Sequence, residues 1–115
     1  MLDKKLQLKD GQTVAILGNP GQLPLAAAPA EATVADALLV FAANETQLRQ
    51  HLGELKAAAG AAKLVWLAYP KAKQLGTDIN RDIIREIANQ NGLDPVRQIA
   101  IDDVWSALRL KKLAA

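Results

Sequence analysis

Polar residues follow three apolar runs of the chain, and their types and positions are those of a ligand-binding crevice. Residue types able to bind a ligand stand at or just after the ends of residues 13–17, 37–43 and 64–69. The carboxyl ends of parallel strands meet at one edge of a sheet, so we expect these groups to lie close together. The candidate ligand-binding residues are Asn19, Asn44, Tyr69, Lys71, Lys73, Thr77 and Asn80. Amide, phenol and ammonium groups in one crevice predict a small anionic or nucleotide-like ligand.

The two lysines have a second interpretation. Thr77 is predicted to cap a helix, and ammonium groups beside a helix N-terminus suit an anion. Asp78, as the first helical residue, would already offer its carboxylate to the same backbone N–H groups, which favours ordinary capping. Asn80 falls within the apolar stripe of that helix, where a structural hydrogen bond is the alternative to ligand contact.

The loop after the first apolar run has two glycines, Gly18 and Gly21. A dinucleotide site requires three glycines in the order GxGxxG at the start of a helix. Here only GxxG is present, Pro20 lacks a backbone donor, and no helical pattern follows. The loop is interpreted as a tight turn, and no cofactor is predicted.

The sequence has no recognisable catalytic or metal-binding constellation. It contains no cysteine and a single histidine, His51, which flanks a leucine stripe without a nucleophile nearby. Asp102 and Asp103 are adjacent carboxylates, but neighbouring residues in a turn ordinarily point apart. We predict no catalytic residue and no metal site, so a non-enzymatic role is favoured.

Charged and aromatic residues toward the C-terminus suggest an interaction surface. Asp78 and Asp82 share a predicted helix face with two arginines, a pattern typical of a solvated, ion-paired surface or of a partner interface. Trp66 and Trp105 lie in strand-like runs and are interpreted as core or interface anchors rather than stacking platforms for nucleic acid. The candidate interaction residues are Arg81, Arg85, Trp105 and Arg109.

These residues need an α/β scaffold to position them. The three apolar runs predict buried parallel strands, and residues 23–35 predict a short edge strand or an irregular crossing. Helices are predicted from Glu45 to Gly60, capped by Asn44 and Gln47, and from the Thr77 cap to residues 91–92. Residues 96–101 and 105–110 form a predicted hairpin. The expected fold is therefore a mostly parallel, Rossmann-like sheet with flanking helices and a C-terminal antiparallel hairpin, in one domain over residues 1–115.

Composition limits the partners of the protein. Its 115 residues carry a formal charge of +2, which is too weak a field to predict nucleic acid as a partner. Hydrophobic residues make up 50% and aromatic residues 3% of the chain, so aliphatic side chains must build the core. No apolar stretch reaches the ~20 residues of a membrane span, and the charged start lacks the pattern of a signal peptide. We expect a cytoplasmic protein with no membrane partner.

Several segments together resemble a known family. LGNPG, LVWLAYPK, GTDINRDIIREIANQNGL and DDVWSALRLKK are similar to a bacterial family of small proteins of unknown function with YPK, TD-x-x-RD and WSALR segments. The element order from residue 37 onward is also similar to the second half of Rossmann-type S-adenosylmethionine methyltransferases, without their glycine-rich loop. The family pattern falls on Pro20, Tyr69, Pro70, Lys71, Thr77, Asp78, Arg81, Asp82, Trp105, Ser106 and Arg109. The resemblance implies a scaffold but no activity.

Two functional hypotheses follow. The first is a non-catalytic domain that acts through a protein partner or self-association, because the hairpin and an edge strand offer pairing surfaces. The alternative is binding or turnover of a small anionic or nucleotide-like ligand at the strand-end crevice, as in a degenerate methyltransferase-like protein.

Overall fold

A six-stranded sheet organises the computed structural model, which describes residues 2–18, 21, 25–71 and 74–113. Asn19 and Lys73, predicted to bind ligand, and Pro20 lie outside these residues. The elements in chain order are α1 (Leu2–Lys5), β1 (Thr13–Leu17), β2 (Ala28–Pro29), β3 (Ala37–Phe41), α2 (Glu45–Gln50), α3 (Leu52–Gly60), β4 (Leu64–Pro70), a 3-10 turn (Gln74–Gly76), α4 (Arg81–Gln90), β5 (Leu93–Ala100) and β6 (Trp105–Lys112). None of the described helices has the length and apolar character needed to cross a membrane.

The strands follow the order β2-β1-β3-β4-β6-β5. Strands β1 to β4 are mutually parallel, whereas β6 is antiparallel to both of its neighbours, β4 and β5. The predicted α/β fold, with a mostly parallel sheet, flanking helices and a C-terminal antiparallel hairpin, is confirmed. The hairpin does not simply extend the sheet outward, because its second strand is inserted next to β4.

Both faces of the central strands are buried, as their continuous apolar runs predict. All five residues of β3 are buried. Leu38 and Val40 pack in a cluster with side chains of α2, α3 and α4. Leu39 and Phe41, on the opposite face, pack in a second cluster with Leu2 of α1 and with Leu6, which directly follows that helix. The short helix α1 therefore covers the face that the longer helices leave open.

The two tryptophans belong to this second cluster. Trp66 is 1% exposed, and its Nε1 donates to the carbonyl oxygen of Leu6 at 2.9 Å. Trp105 is 8% exposed and meets Phe41 edge to face, with ring centroids 5.0 Å apart. Both are core anchors, and Trp105 leaves little of its surface for the partner that the sequence suggested.

The first predicted helix is divided in two at His51. The backbone N–H of His51 donates to the carbonyl of Leu48, three residues back, which tightens the chain into a turn. Asn44 caps α2 as predicted, because its side-chain oxygen accepts from the backbone N–H of Gln47 at 2.9 Å. The Gln47 side chain accepts from Ala43, one residue before the cap, so the reciprocal bond of the capping box is displaced by one residue.

The second predicted helix begins later than expected. Its N-cap is Asn80, whose side chain accepts from the backbone N–H of Ile83 at 2.9 Å, and not Thr77. The Thr77 hydroxyl instead accepts from Ile79 at 3.2 Å in a local turn. Asp78 therefore lies before the helix rather than in its first turn. Thr, Asp and Asn all favour an N-cap, so residue type alone does not distinguish the positions.

The hairpin is longer than predicted, since β5 begins at Leu93 and β6 continues to Lys112. Pro95 is accommodated because β5 is an edge strand, and the register shifts between Pro95 and Arg97 as in a β-bulge. The Asp102 carboxylate accepts from the backbone N–H groups of Val104 and Trp105, each at 2.8 Å. This carboxylate thus closes the turn. At the other edge, the described part of residues 23–35 contributes only the two residues of β2.

Asp3 fastens α1 to the segment before β2 and makes stability depend on pH. Its carboxylate accepts from the backbone N–H groups of Ala26 and Ala27, at 3.0 and 2.9 Å. The bond from Ala26 is the largest influence on the pKa of Asp3, and it outweighs desolvation to hold that pKa below its ordinary value. A lowered folded pKa means that the charged carboxylate stabilises the fold above about pH 4 and loses this effect as pH falls through the folded pKa.

We therefore expect Asp3→Asn to lower the Tm at neutral pH and to flatten the fall of Tm on acidification. Thermal unfolding followed by circular dichroism between about pH 2 and 7 measures both changes. Asp103→Asn is the control, because Asp103 is exposed and the described residues give its carboxylate no partner. An Asp3→Asn protein with the acid sensitivity of the unmodified chain would contradict the assignment.

Candidate functional site

A cavity of about 510 Å³ opens at the carboxyl end of β4, where β4, β6 and the start of α4 meet. Its described walls come from four separate parts of the chain, and every lining residue except Pro70 has a polar side chain. The lining residues are Tyr69, Pro70, Lys71, Asn80, Arg81, Asp82, Gln98 and Ser106. We call this the carboxyl-edge cavity, since it lies at the edge where a parallel sheet commonly binds ligands.

Two hydroxyl groups form its buried part. Tyr69 and Ser106 are register partners on β4 and β6, and they are 5% and 6% exposed. Burial raises the pKa of the Tyr69 phenol, while the Arg81 charge and a hydrogen bond from Ser106 partly oppose this. The phenol is therefore protonated at neutral pH, when it can donate one hydrogen bond and accept another.

Two cations stand beside these hydroxyls. The backbone N–H of Lys71 donates to Val104 at 2.7 Å, which fixes this residue against the hairpin turn. Arg81 is the first residue of α4, and its Nη1 donates to Gln98 at 3.1 Å. Within the described residues neither side chain forms an ion pair. Their charges add to the positive end of the α4 dipole.

Asp82 is the carboxylate among the lining residues. It is exposed and lies in the first turn of α4, where it also interacts favourably with the helix dipole. Counted over the described lining residues, Lys71 and Arg81 against Asp82 leave a formal charge of +1. The arrangement can attract an anion while offering neutral donors and acceptors to the rest of a ligand.

The structure brings together three of the predicted ligand-binding residues, Tyr69, Lys71 and Asn80. Asn44 and Thr77 do not line this cavity. The Asn44 side chain is engaged in capping α2, and the Thr77 hydroxyl in its own turn. Among the described residues, the predicted crevice is thus confined to the end of β4 and does not extend to Asn44 or Thr77.

The candidate interaction residues separate in space. Arg81 enters the carboxyl-edge cavity, whereas Arg85 is exposed and lines no cavity described below. Arg109 is partly buried and belongs to the amino edge of the sheet. The expected ion pairs of the α4 face are not found among the described residues. Asp78 instead accepts from the backbone N–H of Glu45 at 2.8 Å and so caps α2.

Sequence reasoning missed Gln98 and Ser106 as site residues. Both come from the hairpin, and they reach the cavity because β6 pairs directly with β4. The available signal was Ser106, a hydroxyl that interrupts the apolar residues of 105–110. Apart from aromatic residues, Ser106 is the buried residue with a polar side chain among the described residues.

The glycine loop after β1 has a structural explanation. Gly18 has a φ of +67°, and a Cβ at this residue would collide with the carbonyl oxygen of Phe41 in β3. The close approach of two backbones requires glycine here. This supports interpreting that end of the loop as a tight turn.

Comparisons with known proteins give no match for the chain, either to a family model or to a curated protein. Across the described residues there is no group of three or more His, Cys, Asp or Glu side chains placed to hold a metal ion.

Proposed function

We propose that this protein binds a small anionic ligand in the carboxyl-edge cavity. The observation that carries the proposal is the position of Lys71 and Arg81, two cations without ion-pair partners in the described structure, beside the buried Tyr69–Ser106 hydroxyl pair. An anionic group would bind between the cations, and a polar group on the same ligand would meet the hydroxyls.

The size and polarity of the cavity agree with a metabolite-sized ligand. Its volume of about 510 Å³ lies within the ~300–1,000 Å³ of small-molecule sites. Tyr69, Ser106 and Gln98 provide neutral hydrogen-bonding groups, so the ligand has uncharged polar groups besides its anion. A nucleotide-like molecule meets both requirements.

The proposal is binding rather than turnover. A general base must be deprotonated at working pH, and burial keeps the Tyr69 phenol protonated. Asp82 is exposed and lies in the first turn of α4, where its charge interacts with the helix dipole. Lys71 and Arg81 are suited to hold charge in place.

A ligand screen tests this proposal. Amide spectra of the ¹⁵N-labelled protein would be recorded with inorganic phosphate, adenosine monophosphate and S-adenosylmethionine, with thermal stability measured in parallel. We expect one of these ligands to shift the Tyr69 and Ser106 amides saturably. At 100 times its Kd it should stabilise the fold by roughly 2.7 kcal/mol.

Substitutions then assign the site. Lys71→Gln and Arg81→Gln should each weaken binding about tenfold or more, because each removes a charged hydrogen-bond donor. Arg85→Gln is the matched control, since Arg85 lies on the same helix, is exposed and does not line the cavity. Equal affinities in all three variants, or no saturable shift with any ligand of the screen, would refute the proposal.

A second candidate function is pairing with a partner strand through β5. This eight-residue strand forms one edge of the sheet, and Val96 on it is 48% exposed. Pro95 and the bulge beside it interrupt the edge, and such features hinder strand addition. Light scattering at high protein concentration tests whether that partner strand belongs to a second copy of the chain, since a strict monomer rules out self-association.

A further inference from the structure

A second cavity, of about 660 Å³, lies at the opposite edge of the sheet, near the amino ends of β1, β3 and β4. The segment between α1 and β1 forms one wall, and the turns before β3 and β4 form others. Arg109 reaches it from β6. We call this the amino-edge cavity.

Positive charge predominates around the amino-edge cavity. Among the described residues, Lys9, Lys63 and Arg109 line it together with one carboxylate, Asp36, so three cations less one anion leave +2. Asp36 is already engaged, because its Oδ2 accepts from the backbone N–H and the hydroxyl of Thr13, at 2.9 and 3.2 Å. Arg97, the register partner of Arg109 on β5, adds a further cation next to it.

Arg109 has an unfilled hydrogen-bonding capacity. Its Nη1 donates to the Gln7 side chain at 2.6 Å, whereas its Nε is buried and has no partner among the described residues. Arg109 also forms no ion pair with any described residue. A buried donor without an acceptor is costly, and a guanidinium presents Nε and Nη2 as a fork that fits two oxygens of one oxyanion.

Gln7 is held in a conformation that glycine adopts more readily. Its φ is +63°, and the bonds from Gln7 to Lys4 and from Leu8 to Asp3 end α1 in the manner of a Schellman motif. Ala62 occupies the equivalent position after α3, with a φ of +59°. At residue 7, however, the long amide side chain reaches Arg109. This contact gives Gln7 a positioning role that glycine could not fill.

We propose that the amino-edge cavity is a second anion site, which binds a phosphate monoester through the Nε and Nη2 of Arg109. The formal charge of +2 matches a phosphate dianion better than a single carboxylate. Lys63 is tied to the carbonyls of Ala32 and Thr33, at 3.1 and 3.0 Å, and so lends charge from a fixed position. Lys9 is exposed and adds its charge from the solvent side of the cavity.

The arginine Nε–Hε resonances of the ¹⁵N-labelled protein provide a direct readout. Inorganic phosphate, glycerol phosphate and acetate would be titrated separately at constant ionic strength, balanced with chloride. We expect a saturable shift of the Arg109 resonance with both phosphates, and a clearly weaker affinity for acetate. Binding of acetate as tight as that of phosphate would overturn the choice of a dianion, and no saturable shift with any anion would overturn the site.

Three variants test the individual roles. Arg109→Lys should weaken glycerol phosphate binding about tenfold or more, through loss of the fork, as read from the Lys63 and Thr33 amides. Lys9→Gln, an exposed change that leaves the core intact, should weaken it roughly fivefold. Gln7→Gly removes the acceptor that holds Arg109, so it should lower affinity. Glycine adopts the left-handed backbone of residue 7 readily, so the fold should stay intact by circular dichroism. Unchanged affinity in Gln7→Gly would overturn the positioning role.

Two controls separate this site from the carboxyl-edge cavity. Arg85→Gln removes an exposed arginine that lines neither of the two cavities, so it should leave the titration unchanged. The Lys71→Gln, Arg81→Gln double variant should abolish the shifts at Tyr69 and Ser106 and preserve that of Arg109. Loss of the Arg109 response in either control would mean that the shift reports general screening rather than a site.

Discussion

Gly18→Ala is expected to destabilise the protein by about 2–5 kcal/mol, the sum of a left-handed backbone and an overpacked contact. The φ of +67° already disfavours a side chain, and the added Cβ would press on the carbonyl of Phe41 in a fully buried strand. Because β1 and β3 are paired up to Leu17 and Val40, neither backbone can move away without breaking the sheet. Urea and thermal unfolding followed by circular dichroism measure the loss.

Gly11→Ala provides the comparison. Gly11 also has a positive φ, of +83°, but a Cβ there would meet nothing within 4 Å. We expect this variant to lose only the backbone term, about 1–2 kcal/mol. Equal losses in the two variants would show that the Phe41 contact is unimportant. A clear difference would assign the glycine at the end of β1 to sheet packing.

Trp66→Phe is expected to cost about 2–4 kcal/mol and to loosen the N-terminal segment. The substitution leaves a void in a core where Trp66 is 1% exposed, and it removes the donor to the Leu6 carbonyl. Leu6 is itself 1% exposed, so its carbonyl would lose a bond in a position poorly reached by water. Unfolding in denaturant gives the global loss, and amide hydrogen exchange of residues 6–8 reports the local effect.

Trp105→Phe separates the hydrogen bond from the change in volume. Trp105 belongs to the same cluster, and its ring contacts the ring of Phe41. The substitution makes this side chain smaller but leaves the hydrogen bond between Trp66 and Leu6 in place. We expect exchange at residues 6–8 to accelerate in the Trp66 variant and to stay slow in the Trp105 variant. Equal acceleration in both would show that the Leu6 bond does not hold the segment.

The central strands could be predicted from the sequence because their signal is local. Residues 13–17 coincide with β1, and the continuous apolar character of β3 and β4 predicts burial on both faces. The start of α4 could not be fixed in the same way. Thr77, Asp78 and Asn80 are all good capping residues, and only the folded chain shows that Asp78 caps a different helix, through the N–H of Glu45.

The candidate sites were less accessible to sequence reasoning than the strands. Tyr69 lies near the end of β4 and Lys71 directly follows it, and both were predicted. Ser106 and Gln98 line the cavity only because β6 is inserted between β4 and β5. That order depends on long-range pairing, which no local pattern encodes. The amino-edge cavity is even harder to predict from the sequence, because turns and loops without a periodic pattern supply most of its described walls.

The attachment of α1 has a consequence for how the chain acquires its structure during synthesis. Leu6 bonds to a residue 60 positions later, and Gln7 to one 102 positions later. A ribosome therefore releases the first helix long before its binding surface exists. Until β6 has emerged, the apolar face beneath α1 stays uncovered on the nascent chain, where it is a target for chaperones or aggregation.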